Sequence, residues 1–153
     1  MILTALSAGW DQIAFFTPVQ LGGRDRIACP CCGLLEIELD AMRCFNDARQ
    51  QAGVGFWITE GGGVRCPDFQ EGLMRRGLTT TPPERSAHCS KDGRGSTALD
   101  ISVRIGTGGP PSSARRFAIV RGLLAAGCTR IGATYKTFVH GDWETDLPRR
   151  VMW

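Results

Sequence analysis

Thr97-Ala98-Leu99-Asp100-Ile101-Ser102-Val103 is the stretch from which the fold can be read. Its period of two puts Leu99, Ile101 and Val103 on one face and Ala98, Asp100 and Ser102 on the other, as in a strand. A carboxylate on such a strand is held by its neighbours rather than left to a loop. Downstream, Ser112 or Ser113 is placed to cap a helix running to Ala126, with an apolar stripe of Phe117, Val120 and Leu124 and a stop at Gly127. Ile131–Tyr135 and Thr137–Trp143 read as two further strands, and in the second Phe138, His140 and Asp142 share a face.

Upstream, Ala41, Met42, Phe45, Ala48 and Ala52 recur at three- and four-residue steps and Gly53 follows, which predicts an amphipathic helix over Glu38–Ala52. Gly55–Thr59 reads as a short strand before turn glycines, and Asp68–Arg75 as a brief helix. The Thr79–Gly95 and Gly106–Ser113 stretches, rich in Ser, Gly and Pro, read as loops within one domain. Helices and strands mix without a regular β-α-β rhythm. The class expected is α+β: a small antiparallel sheet with flanking helices, residues 1–153 forming a single domain.

The composition agrees with a packed core. A chain of 153 residues with 42% hydrophobic and 22% charged residues is long enough and apolar enough to fold without obligatory disulfides. The net charge is only +3 and the basic residues are scattered, so no nucleic-acid stripe is expected. No apolar run is long enough to span a membrane. The start, Met1–Val19, lacks a basic lead and contains Asp11, so it does not read as a signal peptide, and a cytoplasmic location in the producing cell is expected.

Seven cysteines are many for such a chain, and a reducing compartment would keep them as thiols. Cys29, Cys31 and Cys32 cluster in Ala-Cys-Pro-Cys-Cys-Gly, and Cys29 with Cys32 has zinc-knuckle spacing. No second close pair exists: Cys44, Cys66, Cys89 and Cys128 are isolated in sequence. On that test the cysteines read first as small buried hydrophobes or an opportunistic disulfide, with a cysteine-cluster zinc module, in which His88 and His140 would be incidental, as the competing reading.

The two histidines carry more chemistry. His88 and His140 are the only ones, and each has a strand carboxylate nearby in sequence. Two imidazoles and a carboxylate can hold zinc with a position left for water, which the metal acidifies and aims at a polarised carbonyl. On spacing alone, a surface or core role for each histidine weighs equally.

The wording around them decides. Ser86-Ala87-His88, Ser96-Thr97-Ala98-Leu99-Asp100-Ile101 and Phe138-Val139-His140-Gly141-Asp142 occur in order, with Gly63-Val64-Arg65-Cys66 upstream and the Ala28–Gly33 lead-in before them. This series resembles the zinc D-Ala-D-Ala carboxypeptidase family, especially the branch that includes phage endolysins. The resemblance runs from about Ala28 to Trp153.

It implies a Hedgehog/D-Ala-D-Ala-peptidase-like fold and a zinc peptidase that cuts an amide bond in peptidoglycan stem peptides, as a carboxypeptidase or endopeptidase. Such an enzyme would act on the cell wall after release. The zinc ligands implied are His88, Asp100 and His140. Arg65 corresponds to the arginine that faces substrate, and Ser86 would bind a ligand's second nitrogen or substrate, or cap its own turn. Eleven residues lie between His88 and Asp100, more than the family pattern has, so Lys91–Gly95 reads as an insertion. Thr137 stands where several branches carry an acid or a histidine. A base must then come from elsewhere: Asp142 and Glu60 rank first, Asp92 and Glu144 after them. Asp142 has an equal claim to orienting a ligand histidine. A non-catalytic protein on the same fold is the alternative.

Overall fold

The computed structural model describes residues 1–17, 27–106, 109–145 and 151–153. The end of the apolar start (18–19) and the centre of the Gly106–Ser113 loop (107–108) lie outside the described residues. The architecture is mixed α+β. Strands β1 (Ile2–Leu3) and β2 (Ile37–Glu38) form a two-stranded ladder. Helices α1 (Leu39–Ala52) and α2 (Pro67–Arg75) follow, then β3 (Ala98–Ser102), α3 (Ser113–Ala125), β4 (Arg130–Gly132), β5 (Phe138–Asp142) and β6 (Val151–Met152). The main sheet has the order β3-β5-β4-β6, and its last pair, β4 with β6, is parallel. That pairing adds a parallel edge to the antiparallel sheet expected.

Helix α1 forms as its periodicity dictates. Ala41, Met42, Phe45, Ala48 and Ala52 are all buried, and Gly53 closes the helix at φ 67°, its N–H reaching the Arg49 and Gln50 carbonyls. That left-handed angle costs glycine little and other residues more. Helix α3 begins at the Ser112 cap, whose side chain accepts from the Arg115 amide. Of the expected stripe only Val120 packs against the core. Phe117 and Leu124 are 69% and 56% exposed, and Ile119, Gly122 and Leu123 face inward. The reason is close approach: a Cβ on Gly122 would lie 2.3 Å from the Ala48 carbonyl oxygen, so α3 lies against α1 through its one residue without a side chain. A stripe chosen by side-chain size misses a contact built on a missing side chain.

The expected strand at Gly55–Thr59 is absent as a strand. Only Ile58 bridges to Ile101, but the segment still follows β3: Trp57 accepts from the Ser102 amide, and Thr59 donates to the Asp100 carbonyl. The chain then turns at Gly61 (φ 67°), and the Gly62 carbonyl accepts from the Asp100 amide at 2.7 Å. The turn interrupts the ladder and brings residues 61–66 beside Asp100. Both faces of β3 are buried, so its alternation separates a helix-packed face from a face that carries the site. Among the described residues, no helix is long and apolar enough to cross a membrane.

Candidate metal centre

The sheet register places the first pair of candidate ligands. Asp100 on β3 is the cross-strand partner of His140 on β5, and both side chains point to the same face. His140 Nδ1 lies 2.8 Å from Asp100 Oδ1. His88, delivered by the loop before β3, places Nε2 3.2 Å from His140 Nδ1 and 3.4 Å from Asp100 Oδ1. All three side chains are buried or nearly so, and they could hold a metal ion. A tetrahedral ion with ligands about 2.1 Å away separates its donor atoms by about 3.4 Å, which this triangle approaches.

Both rings are backed by an acceptor. His88 Nδ1 lies 2.8 Å from the Gly63 carbonyl oxygen, which can only accept, so Nδ1 carries the proton and Nε2 offers its lone pair to the cluster. His140 Nε2 lies 2.8 Å from Asp142 Oδ2, which leaves Nδ1 as the ligand atom. The Gly63 contact requires glycine, because a Cβ there would sit 2.3 Å from the Ile27 carbonyl oxygen.

The electrostatics follow from crowding. Burial would raise the Asp100 carboxyl, but His88 and His140 outweigh it and hold Asp100 far below the usual carboxylate range. Burial pushes His88 down, and the Arg65 charge adds to that. Burial also disfavours protonated His140, yet Asp100 and Asp142 on either side lift it to about 9. A ring held so tightly between two carboxylates is a site for a cation, whether a proton or a metal.

Arg65 lines the cleft, but its guanidinium is already engaged on three sides. Its Nη2 lies 2.6 Å from Asp100 Oδ2, its Nε donates to the Gly61 carbonyl at 2.6 Å, and its Nη1 donates to Gln70 Oε1 at 3.1 Å. The substrate-facing role that the resemblance implied thus meets a side chain already committed to Asp100. Gln70 is itself buried and anchored to the Thr81 carbonyl. Of the roles expected for Ser86, the structure shows the turn cap and gives the second nitrogen of His88 another partner, while Ser86 still lines the cleft. It is buried, and its Oγ accepts from the His88 amide, so it caps the turn, while the second ring nitrogen of His88 goes to Gly63.

Four carboxylates were candidates for a base. Asp142 turns its two oxygens to His140, Arg130 and the Glu144 amide, which makes it the partner that orients the ring. Glu144 is buried in an ion pair 3.1 Å from Lys91 Nζ and lines a separate cleft with Lys91 and Arg94. Asp92 is exposed at the tip of the loop over residues 91–94, where Asp92 (φ 51°) and Gly93 (φ 75°) form the turn and Lys91 pairs with Arg94. Glu60 alone of the four is both exposed and, with Arg65 and the ligand triad, part of the lining of a cleft of about 360 Å³.

The sequence reading did not foresee the far wall of that cleft. Arg130, Tyr135 and Trp153 line it: Trp153 lies 5.9 Å from the His140 ring and under the Arg130 guanidinium, and Tyr135 stacks on Phe138 at 4.4 Å. The period-two face of β5 pointed to Phe138, but nothing local marks a residue that arrives by the pairing of β6.

A second group forms around the Cys29–Cys32 cluster, the arrangement the spacing disfavoured. Cys66 joins Cys29, Cys31 and Cys32, the four sulfurs all lying within 4.8 Å of one another. Spacing disfavours a thiolate site because no second close pair exists in sequence. Here the fourth thiol comes singly, on the residue after Arg65. Neither a family model, nor a curated protein, nor a solved structure matches this chain.

Proposed function

We propose that the chain is a zinc-dependent peptidase of the D-Ala-D-Ala carboxypeptidase type, with a Hedgehog/D-Ala-D-Ala-peptidase-like fold, hydrolysing an amide bond in peptidoglycan stem peptides. The observation that carries this reading is the pair of backed rings. Gly63 and Asp142 fix both tautomers so that two imidazole lone pairs and one Asp100 oxygen meet at the floor of a cleft. Zinc held there supplies Lewis-acid chemistry, polarising a carbonyl and making water more acidic.

This chain's residues do the rest. Arg65 keeps Asp100 Oδ2 occupied and so presents Oδ1 to the cluster. Glu60 is the carboxylate assigned to take the proton of the attacking water and pass it to the leaving amine. Tyr135, Phe138 and Trp153 give the cleft an apolar wall against which a peptide side chain can lie. A phage-type lysis enzyme fits this activity.

A second reading is a non-catalytic zinc protein on the same fold. The commitment of Arg65 to Asp100 and the Thr137 in place of an acid favour it. Metal analysis and a muropeptide digest of wild type and His140→Ala separate the two. A zinc peptidase loses metal and cleavage together in the variant. Wild type that holds zinc at this site and cleaves no muropeptide is the non-catalytic protein.

A further inference from the structure

We propose that Cys29, Cys31, Cys32 and Cys66 form a second, structural zinc site, distinct from the His88–Asp100–His140 cluster, that clamps the turn carrying Arg65. The geometry is that of a metal cage. Cys29 and Cys31 sulfurs are 3.5 Å apart, Cys31 and Cys66 sulfurs 3.2 Å, and every pair lies within 4.8 Å. A tetrahedral zinc with Zn–S of about 2.3 Å spaces its sulfurs by about 3.8 Å, whereas a disulfide needs about 2.05 Å. Four thiols at one point, rather than two separated pairs, match the first arrangement. All-thiolate tetrahedral sets select zinc or iron–sulfur clusters among common metals. A single point surrounded by four sulfurs suits a single ion.

The backbone is shaped for the same purpose. Gly33, at φ 74°, donates its N–H to the Cys29 carbonyl, and the Cys29 amide donates to the Leu34 carbonyl, so residues 29–34 close into a knuckle. The Cys66 amide points at Cys29 Sγ at 3.3 Å, and the Phe69 amide at Cys66 Sγ at 3.4 Å, where the thiol caps α2. Amides aimed at sulfur stabilise thiolates. Four adjacent thiols cannot all ionise unless a positive charge lies between them. Binding one zinc ion there releases the protons those thiols carry and forms four Zn–S bonds.

The location gives the site its role. Two segments far apart in sequence meet here, joined otherwise by the Val64 amide on the Ile27 carbonyl. Between them they hold Gly63, which backs His88, and Arg65, which holds Asp100. A metal clip at Cys66 therefore fixes the supports of the other cluster without touching it.

Cobalt substitution of the whole reduced chain tests this, because cobalt bound by four thiolates shows intense visible bands and thiolate-to-cobalt charge transfer in the near ultraviolet. Wild type is expected to bind two equivalents of zinc, and its cobalt form to show the four-thiolate spectrum. His88→Ala/His140→Ala should keep that spectrum with one equivalent of metal. Cys31→Ser/Cys32→Ser, at the two exposed positions, should lose it. Should that variant fail to fold, the wild-type spectrum and stoichiometry decide alone. Wild type with one equivalent of zinc and no thiolate charge transfer overturns the proposal. So does a mass two hydrogens lower per cysteine pair in unreduced protein, or iron with acid-labile sulfide in the isolated chain.

Discussion

Arg65 Nη2 lies 2.6 Å from Asp100 Oδ2, and Asp100 Oδ1 lies 2.8 Å from His140 Nδ1: one carboxylate is shared between a guanidinium and an imidazole. The pair is buried, with side-chain exposures of 12% and 6%. Arg65 is therefore a positioning residue for Asp100. Removing one partner of a buried pair leaves a charge without compensation, which costs about 3–5 kcal/mol. Arg65→Ala, stripped of metal, should lose stability on that scale in urea denaturation, and zinc should restore part of it. A variant as stable as wild type would show that Arg65 does not hold Asp100.

Asp142→Asn removes the carboxylate behind His140 while keeping its shape. Replacing such a partner typically lowers metal affinity about 10- to 100-fold. Competition with a chromophoric chelator should show that loss at the histidine cluster with the fold intact by circular dichroism. If instead zinc binding is unchanged and peptide cleavage alone is lost, Asp142 is the base and the orienting role is wrong.

Between about pH 6.5 and 9 the metal-free protein should respond to His140. A histidine raised to about 9 in the fold contributes stability that is fully present below its unfolded value of 6.5 and disappears as pH rises through 9. Cys29, held down to about 7 from 9.0 mainly against burial, works in the opposite direction over part of the window. The stability difference between wild type and His140→Gln cancels the cysteine contribution. That difference should shrink steadily from pH 6.5 to 9; a difference constant with pH would place the His140 proton elsewhere.

Gly63→Ala should be among the most damaging single methyl groups in the chain. Its Cβ would meet the Ile27 carbonyl oxygen at 2.3 Å, a backbone atom that cannot swing aside. Overpacking of this kind costs about 1–3 kcal/mol, and the shift would also withdraw the carbonyl that fixes the His88 tautomer. Thermal denaturation and zinc affinity should therefore fall together. A variant with normal zinc affinity would show that the Gly63 carbonyl is dispensable.

Local pattern carried much of this structure. Helix α1, its Gly53 stop, the Ser112 cap and the alternation of β3 follow from spacing, because each depends on residues within a turn or two. That His88, Asp100 and His140 lie together was suggested by the wording of their motifs rather than by spacing, and the register that puts Asp100 opposite His140 on neighbouring strands supplies the physical reason for two of the three. What escaped were contacts made by absence or from afar. Gly122 and Gly63 act by lacking a side chain, Trp153 reaches the cleft through a strand pairing, and Cys66 completes a quartet whose other members lie more than thirty residues earlier. Sequence spacing records neighbours along the chain; these are neighbours only in space.

The Lys91–Gly95 stretch between His88 and Asp100 folds on itself. Lys91 and Arg94 pair across an Asp92–Gly93 turn, and both reach the buried Glu144, with which they line a separate cleft. These residues thus form a closed spur whose two feet stay together, leaving the distance from His88 to Asp100 independent of its length. Such a spur is a permissive address in the chain: an epitope, a fluorophore or a fused module placed at Asp92–Gly93 would extend into solvent and leave the metal geometry untouched.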